Sequence, residues 1–136
     1  MTVNNAGIAP LALAVDESDA AAERIFAVNV HGTLHDMKAV LGMLARERGH
    51  IVNLSSALGK IACPGGMSYC ASKHAVVGIS EAVRQELRST LVGLSLIMPG
   101  IVNTDPRTNS PRDAAVARAI GAVTGPVPRV GELPEF

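Results

Sequence analysis

Tryptophan is absent, tyrosine occurs once and phenylalanine twice, so aromatic residues make up only 2% of the 136 positions. Any core must therefore be built from Ala, Val, Leu and Ile. Hydrophobic residues reach 48% and charged ones 18%, enough apolar material for a packed domain and too much for a disordered tail. An excess of either charge is also missing. Twelve basic and twelve acidic side chains cancel, with no basic block, which argues against nucleic acid as the main partner. The two cysteines, Cys63 and Cys70, fit no metal-ligand spacing and are too few for a disulfide framework. They read as small thiols, buried or in a loop, in a reducing compartment. No apolar run is long enough to span a bilayer, and the first residues lack the charged-then-apolar pattern of a signal peptide. The expectation is a cytoplasmic protein with no membrane partner. His31 and His35 stand one helical turn apart, a spacing that can bind metal, but no third ligand follows. No metal is expected. Leu54-Ser55-Ser56-Ala57 lacks the glycines of a G-x-S-x-G elbow, which removes a hydrolase nucleophile.

What is present reads as alternating strands and helices within one domain. Met1 to Asn4 looks like the end of a buried strand. Ile25, Val28, Leu34, Met37, Leu41 and Leu44 recur at helical spacing and predict a helix over about 17–46, capped by Asp16 or Ser18. Gly32 and Gly42 inside it are places for a bend or close packing. Strands are predicted at about 50–55 and 92–98, separated by a loop at 56–67 and a second helix over about 68–91. This order implies parallel strands joined by right-handed crossovers, an α/β fold. Beyond Thr104, residues 106–136 read as a loop, a short Ala-rich helix and an irregular tail, with Pro126, Pro128 and Pro134 opposing a final strand.

The chemistry concentrates in Ser68-Tyr69-Cys70-Ala71-Ser72-Lys73. On a helix, Tyr69 and Lys73 share one face. An ammonium beside a phenol favours the phenolate and lowers the tyrosine pKa from about 10. With a serine hydroxyl on the same substrate oxygen, the trio suits proton transfer at a carbonyl or alcohol.

The chain around this pair resembles the short-chain dehydrogenase/reductase family, motif by motif and in the family's order. Asn4-Asn5-Ala6-Gly7 is similar to its Asn-Asn-Ala-Gly turn, and Val28-Asn29-Val30-His31-Gly32 to the segment carrying its helix asparagine. Ile51 to Ser56 resembles the strand ending in its serine, and Pro99-Gly100-Ile101-Val102-Asn103-Thr104 the loop over the nicotinamide. The family's serine-to-tyrosine spacing selects Ser56 over Ser55, which reads as a hydrogen-bonding residue at the strand end.

The resemblance implies an NAD(P)-dependent oxidoreductase on a Rossmann-like, doubly wound sheet, with residues 1–105 as its catalytic half and 106–136 as a substrate-loop remnant and tail. Tyr69 would be the proton donor or acceptor, and Ser56 would polarise the oxygen. Lys73 would lower the tyrosine pKa and hold the nicotinamide ribose, while Asn29 would hold a water linking Lys73 to solvent. Asn4, Asn5, Ala6 and Gly7 would lie along the cofactor together with Tyr69, Lys73, Pro99, Gly100, Ile101, Val102 and Thr104. The substrate would be a small carbonyl compound or secondary alcohol. The small apolar residues of 57–67 hint at a hydrophobic one. A homodimer or homotetramer through the two long helices is implied as well.

One family motif has no counterpart. No G-x-x-x-G-x-G loop occurs in the 136 residues, and neither Gly65-Gly66 nor the Gly121 to Gly125 region follows a predicted strand and opens a helix. The reading is therefore of the second half of the sheet only, without the residues that separate NAD from NADP. The alternative expectation is a truncated, non-catalytic remnant or interaction protein that keeps these residues but binds no cofactor.

Overall fold

The computed structural model describes residues 1–44 and 48–100, with Met43 and Leu44 placed by their backbone alone. The expected end of the first helix at 45–46, Ile101, Val102, Asn103 and Thr104, and the 106–136 tail lie outside the described residues. Three parallel strands, β1 (Thr2–Asn4), β2 (Gly49–Leu54) and β3 (Val92–Ile97), form one sheet in the order β1-β2-β3. Asn4 is opposite Asn53, and Asn53 is opposite Leu96. Between β1 and β2 run α1 (Asp19–Phe26), a π-helical segment (Ala27–His31) and α2 (Gly32–Leu44). The crossover from β2 to β3 is α3 (Met67–Glu86).

The sheet's buried face carries Ile51 and Asn53, and α1 and α3 pack against each other in the layer above it. Period-two alternation along β2 puts both side chains on that face. Ile51 packs with Leu87, Val92, Val83 and Leu94, while Ile25, Met37 and Val76 are also nearly inaccessible. Each fully buried aliphatic side chain contributes about 1.5–3 kcal/mol. Among the described residues no aromatic side chain is buried, and the core is built from aliphatic side chains and Met37.

The helix boundaries differ from expectation where side chains intervene. Ser18 is the cap: its hydroxyl accepts the Ala21 N–H at 3.3 Å, so the helix starts at Asp19 rather than 17. The long first helix is not uniform. One extra residue is accommodated at Ala27–His31, where the Gly32 N–H donates to the Ala27 carbonyl. This π turn rotates Asn29 and Val30 inward together. The second helix ends at Glu86, not 91. A short 3-10 turn (Leu87–Ser89) follows, with the Thr90 hydroxyl donating to the Leu87 carbonyl at 2.9 Å.

Asn53 is 0% exposed yet polar, and its partners explain how that is tolerated. Its Nδ2 donates to Ser80 Oγ at 2.8 Å and its Oδ1 accepts from Asn4 Nδ2 at 2.7 Å. Ser80 Oγ donates to the Val76 carbonyl at 2.7 Å. A polar ladder thus joins β1, β2 and α3 inside an otherwise apolar layer. With both ends of its amide paired, Asn53 costs little and fixes register.

Candidate active site

The loops beyond the carboxyl ends of the three strands converge on one cluster, the usual place for a ligand in an open parallel sheet. Ser55 N–H continues the ladder to the Ile97 carbonyl at 2.9 Å, and Ala57 N–H reaches the Pro99 carbonyl at 2.9 Å. Ser56 lies between those two anchors. Its hydroxyl accepts the Leu58 N–H at 3.2 Å and caps a 3-10 turn (Ala57–Gly59) within the predicted 56–67 loop. Gly59 presses that turn onto α3. A β carbon there would stand 2.5 Å from Ser55 Oγ and 2.9 Å from the Lys73 carbonyl oxygen. Gly59→Ala is therefore expected to cost about 1–3 kcal/mol by overpacking, read as a lower urea midpoint. A midpoint equal to that of the parent would refute this packing.

Tyr69 and Lys73 project from the first turns of α3, with the Lys73 ammonium 5.8 Å from the Tyr69 ring centroid. Lys73 is 6% exposed, and its Nζ donates to the Leu54 carbonyl at 3.1 Å. Burial pushes the Lys73 pKa below the ordinary lysine value. Burial is also the largest influence on the half-buried Tyr69 phenol, and it pushes the pKa above 10.0. The neighbouring Ser56 hydroxyl pulls it back down, whereas the nearby Cys70 and Cys63 thiols push it further up. The expected acidification of Tyr69 by Lys73 is thus not what this geometry produces. Lys73 is drawn toward the end of β2, and the group that lowers the phenol is Ser56.

Asn29 is 1% exposed, and its side chain behaves as a peptide mimic. Its Oδ1 accepts the Ile8 N–H at 2.8 Å, and its Nδ2 donates to the Ile8 carbonyl and to Ser72 Oγ, each at 3.0 Å. Ser72 Oγ in turn donates to the Tyr69 carbonyl at 2.7 Å. The Asn29 carbonyl accepts the Thr33 hydroxyl at 2.9 Å. The amide is therefore engaged in holding the loop after β1 against the turn of α3 that carries the tyrosine. Gly7 is where that loop meets the site. A β carbon on it would lie 3.4 Å from both Lys73 Nζ and Asn29 Oδ1.

Ser56, Tyr69, Lys73, Asn29 and Gly7 are thus brought together, and Pro99 is tied to the same turn. Asn5, Ala6 and Gly100 are exposed beside them. Asn4 is not part of the cluster: it is 7% exposed and committed to Asn53. A separate cleft of about 310 Å³ between β1 and the start of α2 includes Asn4, Asn5 and Ala6 but neither Ser56, Tyr69 nor Lys73. Sequence reasoning missed Ser72, Asn53, Ser80 and Gly59. The signal for two of them was the row Ser68, Ser72, Val76 and Ser80, small or apolar residues one helical turn apart and all buried on α3.

The model of the family described as short chain dehydrogenase matches residues 1–115. The chain belongs to this family. It is 41% identical over 103 residues to 2-(S)-hydroxypropyl-CoM dehydrogenase 3 of Xanthobacter autotrophicus, covering 75% of this chain and 40% of that protein. A short chain dehydrogenase from Burkholderia cenocepacia, solved in complex with NADP, is 31% identical with a TM-score of 0.72, covering 92% of this chain and 55% of that one. Serine dehydrogenase from Escherichia coli is 37% identical with a TM-score of 0.70, covering 74% and 47%. The chain therefore spans about half the length of the relatives it matches. The Rossmann-like α/β fold expected from the sequence is the fold of these relatives. Among the described residues, no helix is long and apolar enough to cross a membrane.

Proposed function

We propose that this chain carries the catalytic portion of an NAD- or NADP-dependent oxidoreductase acting on a small carbonyl compound or secondary alcohol. The observation that carries the proposal is the convergence of Ser56, Tyr69 and Lys73 beside the exposed backbone of Asn5 to Gly7. The residues fit the nicotinamide ribose half of such a cofactor. Lys73 Nζ has three donors and spends one on the Leu54 carbonyl. The remaining two suit ribose hydroxyls, and the absence of a side chain on Gly7 leaves a close approach open. Asn5, Ala6, Gly7, Pro99 and Gly100 would line the cofactor, with Ile101, Val102 and Thr104 assigned to the same loop by resemblance alone. The bound cofactor would supply hydride exchange at its nicotinamide C4.

The chain's own residues do the rest. Ser56 Oγ hydrogen-bonds the substrate oxygen and holds it at the Tyr69 hydroxyl. Tyr69 gives its proton to that oxygen in reduction and takes it back in oxidation. Lys73 orients the ribose, and Asn29 acts as a positioning residue that fixes the loop after β1. Association as a homodimer or homotetramer through the two long helices belongs to the same proposal. Exposed Ala71, Gly78 and Ala82 on α3 would permit close helix approach, and sedimentation of the purified chain as a monomer would rule it out.

The raised Tyr69 pKa gives the reaction an asymmetric pH dependence. Reduction needs the neutral phenol, which persists until pH rises past a value above 10.0. Oxidation needs the phenolate, whose population grows about tenfold per pH unit below the pKa. Hydride transfer, followed by nicotinamide absorbance with hydrophobic ketones and the matching alcohols, should be flat for reduction between pH 6 and about 9 and should rise steeply for oxidation. No transfer with either cofactor in either direction would refute the proposed function.

A further inference from the structure

The proton chemistry leaves Cys63 and Cys70 unused, although they lie next to it. Cys63-Pro64-Gly65-Gly66 folds as a tight turn with proline second and Gly65 at φ 74°, where the Gly66 N–H donates to the Cys63 carbonyl at 3.2 Å. The Gly66 carbonyl then accepts the Cys70 N–H at 2.7 Å as α3 begins. Both cysteines are therefore anchored to the same glycine from opposite sides. A β carbon on Gly66 would lie 3.0 Å from Cys63 Sγ and 3.0 Å from Cys70 Sγ, so both sulfurs border the space that glycine leaves empty. Both thiols are free; Cys70 is buried and Cys63 partly exposed. Among the described residues, no group of three or more His, Cys, Asp or Glu side chains gathers to hold a metal ion.

We propose that Cys63 and Cys70 are a reversible dithiol–disulfide site, oxidised by a low-molecular-weight disulfide such as oxidised glutathione. The Cys63 thiolate, the more exposed of the two, attacks one sulfur of the oxidant, whose S–S bond breaks as a first thiolate leaves. The Cys70 thiolate then attacks Cys63 Sγ in the mixed disulfide and expels the second thiolate. The protein loses two protons and two electrons, and the oxidant is reduced to two thiols. The new bond ties the loop after Ser56 to the first turns of the helix that bears Tyr69. Burial and the neighbouring Cys70 push the Cys63 thiol up, so the exchange should quicken as pH rises.

The test equilibrates the purified chain in glutathione redox buffers, then traps free thiols by alkylation and weighs the products. The expected product is a monomer lighter by two hydrogens, with no alkylated cysteine, and fully restored by dithiothreitol. The effective concentration of the pair should be higher in native buffer than in denaturing urea by about tenfold or more. Gly66→Ala, which places a methyl group against both sulfurs, should lower the native value toward the urea value. Cys63→Ser should give no such product. An effective concentration no higher in native buffer than in urea would overturn the proposal, as would a persistent glutathione adduct or a disulfide-linked dimer as the main product. This readout needs no hydride transfer, so it stands apart from the proposed activity.

Discussion

Replacing Tyr69 with phenylalanine is expected to lower turnover by about 10²–10⁴-fold, the range a positioned general acid or base contributes. The ring is half-buried, so its packing against α3 survives the loss of the hydroxyl. What disappears is the phenol hydroxyl beside Ser56, the group proposed to exchange a proton with the substrate oxygen. Because that proton moves only in the reaction, the loss should appear in kcat far more than in KM. The melting temperature should stay close to that of the parent. Retention of activity to within about threefold would mean that another group supplies the proton.

The second large effect belongs to stability. Asn53→Leu keeps the branching pattern of a side chain that is 0% exposed but removes the centre of the ladder between β1, β2 and α3. Asn4 would lose its one amide partner, while its Oδ1 is already buried without one. Each buried polar group left unpaired costs about 1–3 kcal/mol, so a loss of about 3 kcal/mol is expected for the variant. Urea unfolding should report it as a lower midpoint with an unchanged slope. In Ser80→Ala, Asn53 keeps its bond from Asn4 and its Nδ2 keeps the Met37 sulfur at 3.3 Å, so that variant should cost less. A loss below about 0.5 kcal/mol for Asn53→Leu would show that the ladder carries no stability.

Helices and strands were legible because their signals are local. The apolar spacing of Ile25, Met37, Val76 and Val83 reports a buried helical face, and the short apolar runs near Ile51 and Leu94 report strands. The cap at Ser18 was readable for the same reason. The π turn was not: an inserted residue shows only as a gap in the pattern between Val28 and Leu34, beside Gly32. The ladder was hidden because Asn53 sits in a run that reads as an apolar strand, and its partners come from residues far along the chain. The juxtaposition of Ser56, Tyr69 and Lys73 was anticipated from motif order, since helical spacing puts Tyr69 and Lys73 on one face. Spacing says nothing of where the ammonium goes. The Leu54 carbonyl, supplied by a different element, captures it and leaves burial to govern the phenol. Cys63 and Cys70 read as isolated thiols because only the turn at Gly65 and Gly66 brings them together.

Hydride transfer itself is measured most directly with a nicotinamide cofactor deuterated at C4. The chain is mixed with this cofactor and a hydrophobic ketone, and the alcohol produced is analysed for deuterium at the carbinol carbon. Incorporation from one face of the cofactor is the predicted result, with the labelled alcohol formed about 10²–10⁴-fold more slowly by Tyr69→Phe and also more slowly by Lys73→Met. Alcohol without deuterium, or labelled alcohol formed at equal rates by the parent and Tyr69→Phe, would contradict the assignment of Tyr69 as the proton donor beside Ser56 and Lys73.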